Sequence, residues 1–216
     1  MLPRPIYSLA FTALAALTAA CGSTPKPPEP PPAPTPTIEE LPPEPPKPKP
    51  CEALDEKCDA KDSTKAKIAK SDFVFKPAKG WIYAQGQEAT IAQAADDGPA
   101  VVVAQFDIDP KQEAANREAA LGELSKQINV TLPKKKLNWK KPDDAKAIGD
   151  LKLGLWQIDG ARGDKKGPLI LFAAPVADGK VLLGVGFVPS DDSSGADAAI
   201  LESIESITGS GAGSGK

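Results

Sequence analysis

The sequence predicts an α+β domain over residues 71–208, a mostly antiparallel sheet with two packed helices. Three observations carry this. Apolar runs with strand periodicity come first, then one long helical run, then more strand runs and a closing amphipathic helix. Two strand pairs are joined by turn-forming residues, Asp96-Asp97-Gly98-Pro99 and Asp178-Gly179. Each helical run carries its apolar residues on one face.

Taken in order, Asp72–Lys76 alternates around Phe73, Val74 and Phe75, turns through Pro77-Ala78-Lys79-Gly80 and re-enters a strand at Trp81-Ile82-Tyr83. Ala89–Ala94 and Ala100–Ile108 form a hairpin, and Val101-Val102-Val103 marks a strand buried on both faces. Asp109 as N-cap and Pro110 at the first helical position open a helix ending near Asn129. Leu121, Leu124 and Ile128 give it an apolar face, with Glu113, Arg117 and Lys126 on the wet side. A strand is expected around Leu137-Asn138-Trp139. Leu151–Asp159 alternates, with Leu151, Leu153 and Leu155 on one face and Trp156 and Ile158 on the other. Pro168–Pro175 and Lys180–Val188 make a second hairpin. The last helix, about Gly195 to Ile207, carries Ile200, Leu201, Ile204 and Ile207 on one stripe, with Ser193 or Ser194 as its cap.

The opening Phe73-Val74-Phe75-Lys76-Pro77-x-x-Gly80-Trp81, the long middle helix and the amphipathic closing helix resemble the PsbP-like and DcrB-like fold group. That group includes bacterial envelope lipoproteins, an extrinsic photosystem subunit and a Ran-binding nuclear import factor. The resemblance covers roughly Ser71 to Ile207 and implies a non-catalytic adaptor or binding domain. It brings no functional residue across, because no site motif of the group aligns here.

Upstream of the domain the chain reads as an address and a spacer. Arg4 is the only charge in residues 1–20, an apolar stretch runs from Ile6 to Leu17, and Ala19 and Ala20 precede Cys21. This is the layout of a secretory signal, and the stretch is shorter than the roughly 20 apolar residues that span a bilayer. The context Leu17-Thr18-Ala19-Ala20-Cys21-Gly22 resembles a bacterial lipoprotein signal, with Leu one position further from the cysteine than usual. The resemblance implies that Cys21 is lipidated and becomes the mature N-terminus, holding the protein to a membrane. An ordinary cleaved signal ending at Ala20 is the alternative. Gly22 in place of Asp directs such a protein to the outer membrane in preference to the inner one.

Residues 21–50 then form a proline-rich linker. From Pro25 to Pro50 more than half the residues are proline, which fixes φ and removes the backbone donor, so polyproline II is expected. Its 26 positions reach on the order of 80 Å at about 3.1 Å per residue. Residues 51–70 are a cysteine-bearing junction, and residues 209–216 a flexible Gly/Ser tail.

Composition narrows the chemistry. Net charge is −3, or −4 once a leader bearing Arg4 is removed, which gives no electrostatic reason to bind nucleic acid. The chain has no histidine, so Ser-His-Asp and Cys-His activation and most zinc, copper and non-haem iron sites are excluded. No paired nucleophile and base stands out, and neither an enzyme nor a bound cofactor is expected. Cys51 and Cys58 read as a disulfide in an oxidising compartment. A straight helix would hold them about 10 Å apart, too far to bridge, so a bridge requires Glu52–Lys57 to turn; a redox or metal role is the alternative.

Candidate sites are few. Lys134, Lys135, Lys136, Lys140 and Lys141, with Trp139 between them, form a patch for an acidic or anionic envelope partner, or else a solvated loop and lysine-guarded edge strand. Arg162-Gly163-Asp164 reads as a charged hairpin turn, although it spells a tripeptide known for integrin binding. Asn129-Val130-Thr131 matches a glycan acceptor only by chance outside eukaryotic secretion. Trp81, Trp139 and Trp156 are expected in the core or on the sheet face. Two functional expectations follow: an adaptor contacting an envelope protein, or a carrier or sensor of a small lipid-like apolar ligand held between sheet and helix.

Overall fold

A computed structural model describes residues 51–177 and 179–209. Cys21, the linker to Pro50, Asp178 and the tail from residue 210 lie outside them. The described chain is an α+β domain built on one eight-stranded sheet, a second small sheet and two helices. Its elements in order are β1 (Ala66–Lys67), β2 (Phe73–Phe75), β3 (Ile82–Gln85), β4 (Thr90–Gln93), β5 (Ala100–Asp107), α1 (Glu113–Gln127), β6 (Val130–Thr131) and β7 (Asp144–Ile148). They continue with β8 (Leu151–Arg162), β9 (Lys165–Ala177), β10 (Lys180–Phe187), α2 (Ala196–Glu205) and β11 (Thr208–Gly209).

The large sheet runs β3-β4-β5-β10-β9-β8-β6, with β7 also paired to β8, and every pairing is antiparallel. β5 lies inside the sheet, and its first six residues are buried, as the triple-valine run predicts. Successive side chains of a strand face opposite ways, so β5 feeds two cores. Ala100, Val102 and Ala104 pack with Leu121 and Leu124 of α1, Ile128 just after it, and Leu183 and Val185 of β10. Val101 and Val103 face the other side, with Leu153, Leu155 and Phe172 of the sheet and Ile200 and Ile204 of α2. Gly186 permits that second layer, because a Cβ there would lie 2.6 Å from Ile200 Cγ2.

The small sheet, β1-β2-β11, joins the α2 side. Folded structure therefore begins before Ser71. Ile68 is fully buried, and Ala69 forms a parallel bridge to Ala104 of β5. Residues 51–60 line the edge of β3, where Ala60 N–H bonds Trp81 O, Tyr83 N–H bonds Cys58 O and Gln85 N–H bonds Cys51 O. Cys51 and Cys58 are joined by a disulfide with Cα atoms 6.2 Å apart, and the chain between them turns through a 3-10 segment, Leu54–Glu56. The junction thus covers a sheet edge that would otherwise offer unpaired backbone.

Several local expectations need correction. Leu137–Trp139 is irregular chain, since this stretch docks through side chains while β6 and β7 take the pairing positions beside β8. Arg117 is buried, on the apolar stripe with Leu121, Leu124 and Ile128. Asp109 caps a 3-10 turn, Pro110–Gln112, by accepting from Lys111 N–H, and α1 proper starts after it. Neither Ser193 nor Ser194 caps α2. Gly195, at φ +78°, leads into the helix, and the Asp192 carboxylate accepts from the N–H groups of Ser194 and Ala196. No helix among the described residues is long and apolar enough to cross a membrane.

Candidate functional site

The lysine cluster lies on the excursion from β6 to β7, residues 132–143. Lys134, Lys135, Lys136, Lys140 and Lys141 are all exposed. Trp139 does not share that exposure: it is 9% exposed and belongs to the core beneath the loop. Its ring meets Trp156 edge to face with centroids 5.1 Å apart, and the Arg117 guanidinium lies 5.6 Å from its centroid. An edge-to-face aromatic pair plus a cation over the ring makes this a firm anchor.

Hydrogen bonds complete the attachment. The Trp139 indole N–H donates to Glu118 Oε1 at 3.0 Å, and Leu137 N–H approaches the same oxygen at 3.3 Å. The Trp156 indole N–H reaches two loop carbonyls, Asn138 at 3.0 Å and Lys141 at 3.2 Å. At the far stem, Asp143 N–H bonds Leu155 O and its carboxylate accepts from Gln157 N–H at 2.9 Å. Leu132 and Leu137 pack against the core from the loop itself. The lysines therefore project from a fixed backbone. Composition gave no sign of the helix residues Arg117 and Glu118 that fix it, although their spacing to Leu121 and Leu124 does place them facing inward.

Beside this loop the edge of β8 is interrupted. β7 pairs with Leu151–Leu155 and β6 with Ala161–Arg162, so residues 156–160 have no strand partner on that side among the described residues. A cleft of about 470 Å³ occupies the gap, with Leu137, Trp156 and Ile158 at its apolar wall and Lys135, Lys136 and Lys141 among its polar lining.

Arg162 of the Arg-Gly-Asp triplet does something else entirely. The turn itself is Gly163-Asp164, with Gly163 at φ +57°, whereas Arg162 is 3% exposed. Its guanidinium donates to Ile128 O at 2.8 Å, Gly98 O at 2.6 Å, Ala95 O at 3.2 Å and Gln93 Oε1 at 2.5 Å. It ties the end of α1 to the β4–β5 turn. Burial lowers its pKa from the ordinary arginine value, with Asp97 and Asp96 acting the other way. A side chain so enclosed cannot serve as an adhesion tripeptide.

Two further clefts flank the N-terminal half of α1. One of about 450 Å³ lies between Phe106–Asp109 and Asn116–Glu123, and one of about 250 Å³ lies between Arg117 and the β9–β10 hairpin. Buried side chains form an apolar cluster on each face of the large sheet. Cys51, Glu56 and Cys58 bring three potential ligand atoms together, but the disulfide engages both sulfurs.

Comparison with known proteins yields little sequence likeness. No family model matches the chain, and no curated protein does. Among solved structures it is similar to a protein from Bacteroides thetaiotaomicron VPI-5482, at 11% identity and a TM-score of 0.39 over 64% of this chain and 45% of that one. It is also similar to LpqN, described as involved in cell envelope biogenesis of Mycobacterium tuberculosis, at 20% identity and a TM-score of 0.34 over 67% of this chain and 82% of that one. The chain thus spans less than half the length of the first of these.

Proposed function

We propose that this chain is a lipid-anchored protein of the cell envelope, held through Cys21, whose domain is a non-catalytic module binding another envelope protein. The observation that carries the reading is the loop 132–143. Five exposed lysines stand on a backbone fixed by Trp139, Trp156 and Glu118. A surface whose geometry is set before contact loses less ordering entropy on association, and clustered like charge steers an acidic partner toward it. The Cys21 context and the proline-rich linker support the anchored half of the reading. The histidine-free composition supports the non-catalytic half.

In-cell crosslinking followed by mass spectrometry tests it. Intact chain is compared with Cys21→Ser and with the triple variant Lys134→Glu, Lys135→Glu, Lys136→Glu. The expected result is one envelope protein crosslinked to residues 134–141, diminished in both variants, and a diacyl or triacyl mass on Cys21. Crosslinks that avoid the loop, or survive its charge reversal unchanged, overturn the binding reading. An unmodified Cys21 overturns the anchor.

A further inference from the structure

Resting on the reading that loop 132–143 is the binding surface, we infer that its partner contributes an extended acidic segment. That segment pairs with the stretch of β8 that has no strand partner among the described residues, in the cleft beneath the lysines.

The argument starts from the ladder. Gln157 faces Ile170 of β9, and Asp159 faces Pro168. In an antiparallel pair the backbone groups of successive residues point alternately toward and away from the partner strand. Leu155 O accepts from Asp143 and Gln157 N–H donates to Asp143, both on the side away from β9. Pro168 O meanwhile accepts from Val188 N–H of the segment after β10. The odd-numbered residues of β8 therefore direct their backbone groups outward. Gln157 C=O and both backbone groups of Asp159 open onto the interrupted edge, a length of about 10 Å.

Edges of this kind are ordinarily covered or blunted. In this protein the chain covers the other exposed edge, at β3, with residues 51–60, and pairs β8 on both sides of the gap. Between Thr131 and Asp144 it arches away instead, and the indole bonds keep the arch standing. The cleft of about 470 Å³ that results falls within the range of volumes that hold a bound group.

Charge selects the occupant. Lys135, Lys136 and Lys141 line the cleft, and Lys134 and Lys140 stand on the same loop. Against them are Asp143, engaged by Gln157 N–H, and Asp159. Lysine without arginine attracts as a point charge and does not select bidentate phosphate recognition. The apolar wall of Leu137 and Ile158 and the exposed backbone together fit a peptide strand. Side chains alternate across such a strand, so carboxylates two residues apart would face the lysines together.

The test uses the full chain carrying Cys21→Ser and a short fluorescein-labelled peptide alternating Glu and Thr. Three controls accompany it: the same peptide N-methylated at alternate backbone nitrogens, its Lys-Thr counterpart, and inorganic polyphosphate. Anisotropy reports binding, and amide hydrogen exchange reports the Asp159 N–H. The acidic peptide is expected to bind and to slow exchange at Asp159. N-methylation, or Lys135→Glu with Lys136→Glu and Lys141→Glu, is expected to weaken it about tenfold or more. Equal binding by the N-methylated peptide, or unchanged exchange at Asp159, overturns the strand pairing. So does binding of polyphosphate alone. If the acidic peptide fails while the in-cell crosslinks still depend on the lysines, the strand inference falls and the adaptor reading stands. If those crosslinks are lost as well, both fall.

Discussion

Arg162 and the lysine loop both carry positive charge, and they use it in opposite ways. Arg162 is enclosed and surrounded by acceptors, three backbone carbonyls and the Gln93 amide. The five lysines of residues 134–141 face solvent, and their loop is held by Trp139, Trp156, Glu118 and Asp143 instead. One cation is a structural bolt and the others are a presented surface. The difference lies in acceptor geometry. A planar guanidinium can serve several carbonyls at once, whereas an ammonium is a compact, strongly hydrated point charge. Buried charge is tolerated only where bonding offsets the lost hydration.

The comparison is broken most directly at Arg162. Arg162→Leu leaves three buried acceptors and the part-buried Ala95 carbonyl without their donor and should cost on the order of 3–5 kcal/mol, read as a fall in the urea midpoint. Arg162→Lys keeps the charge but cannot reach all four groups, so a loss of about 2 kcal/mol or more is expected. If Arg162→Lys proves neutral, charge and not the fork of donors is what the site requires. Next in size is Trp156→Phe, which keeps an aromatic side chain but gives up part of the indole's packing and the N–H shared by Asn138 and Lys141. About 1 kcal/mol of stability should go, together with faster amide exchange across residues 137–141 and little change elsewhere. A uniform rise in exchange over the whole domain would mean that the indole supports the core and not the loop.

Much of this was legible from the sequence, and the failures have physical reasons. The order of elements along the chain, both hairpins and the two helices followed from alternation and turn chemistry, because burial on a sheet face or helix stripe imposes a period on the residues. Arg162 could have been placed too. It has the parity of Trp156 and Ile158 on β8, which face the α1 core, but the Arg-Gly-Asp spelling made it look like turn. Arg117 likewise falls on the stripe of Leu121, Leu124 and Ile128, and only its charge argued for solvent. Polarity masked position in both cases. Leu137–Trp139 failed differently. An apolar alternation of three residues is satisfied equally by a strand or by a loop whose tryptophan plugs the core, and local sequence cannot choose between them. The broken edge of β8 was invisible for a related reason, since it depends on where β6 and β7 stop, a property of pairing across the fold.

At the small end of the scale are the surface charges themselves. Lys134→Glu, Lys135→Glu and Lys136→Glu, made singly, should each shift stability by no more than about 0.5 kcal/mol, since the loop's attachment involves none of these side chains. A larger loss would erase the distinction between bolt and surface. The smallest effect is expected from pH. Lys146 is paired with Glu205 and Lys79 with Asp62 at 2.8 Å, and in each case the hydrogen bond raises the lysine above its ordinary value of 10.5. A cation whose folded pKa is raised contributes its full stabilisation below the unfolded value and loses it as pH climbs through the folded one. Melting temperature should therefore be insensitive to these two pairs at neutral pH and decline only above about pH 10.5. Glu205→Gln, which removes the partner charge of Lys146, should flatten part of that alkaline decline. The same decline in the variant and the parent would show that the Lys146 pair, like most exposed pairs, contributes nothing measurable.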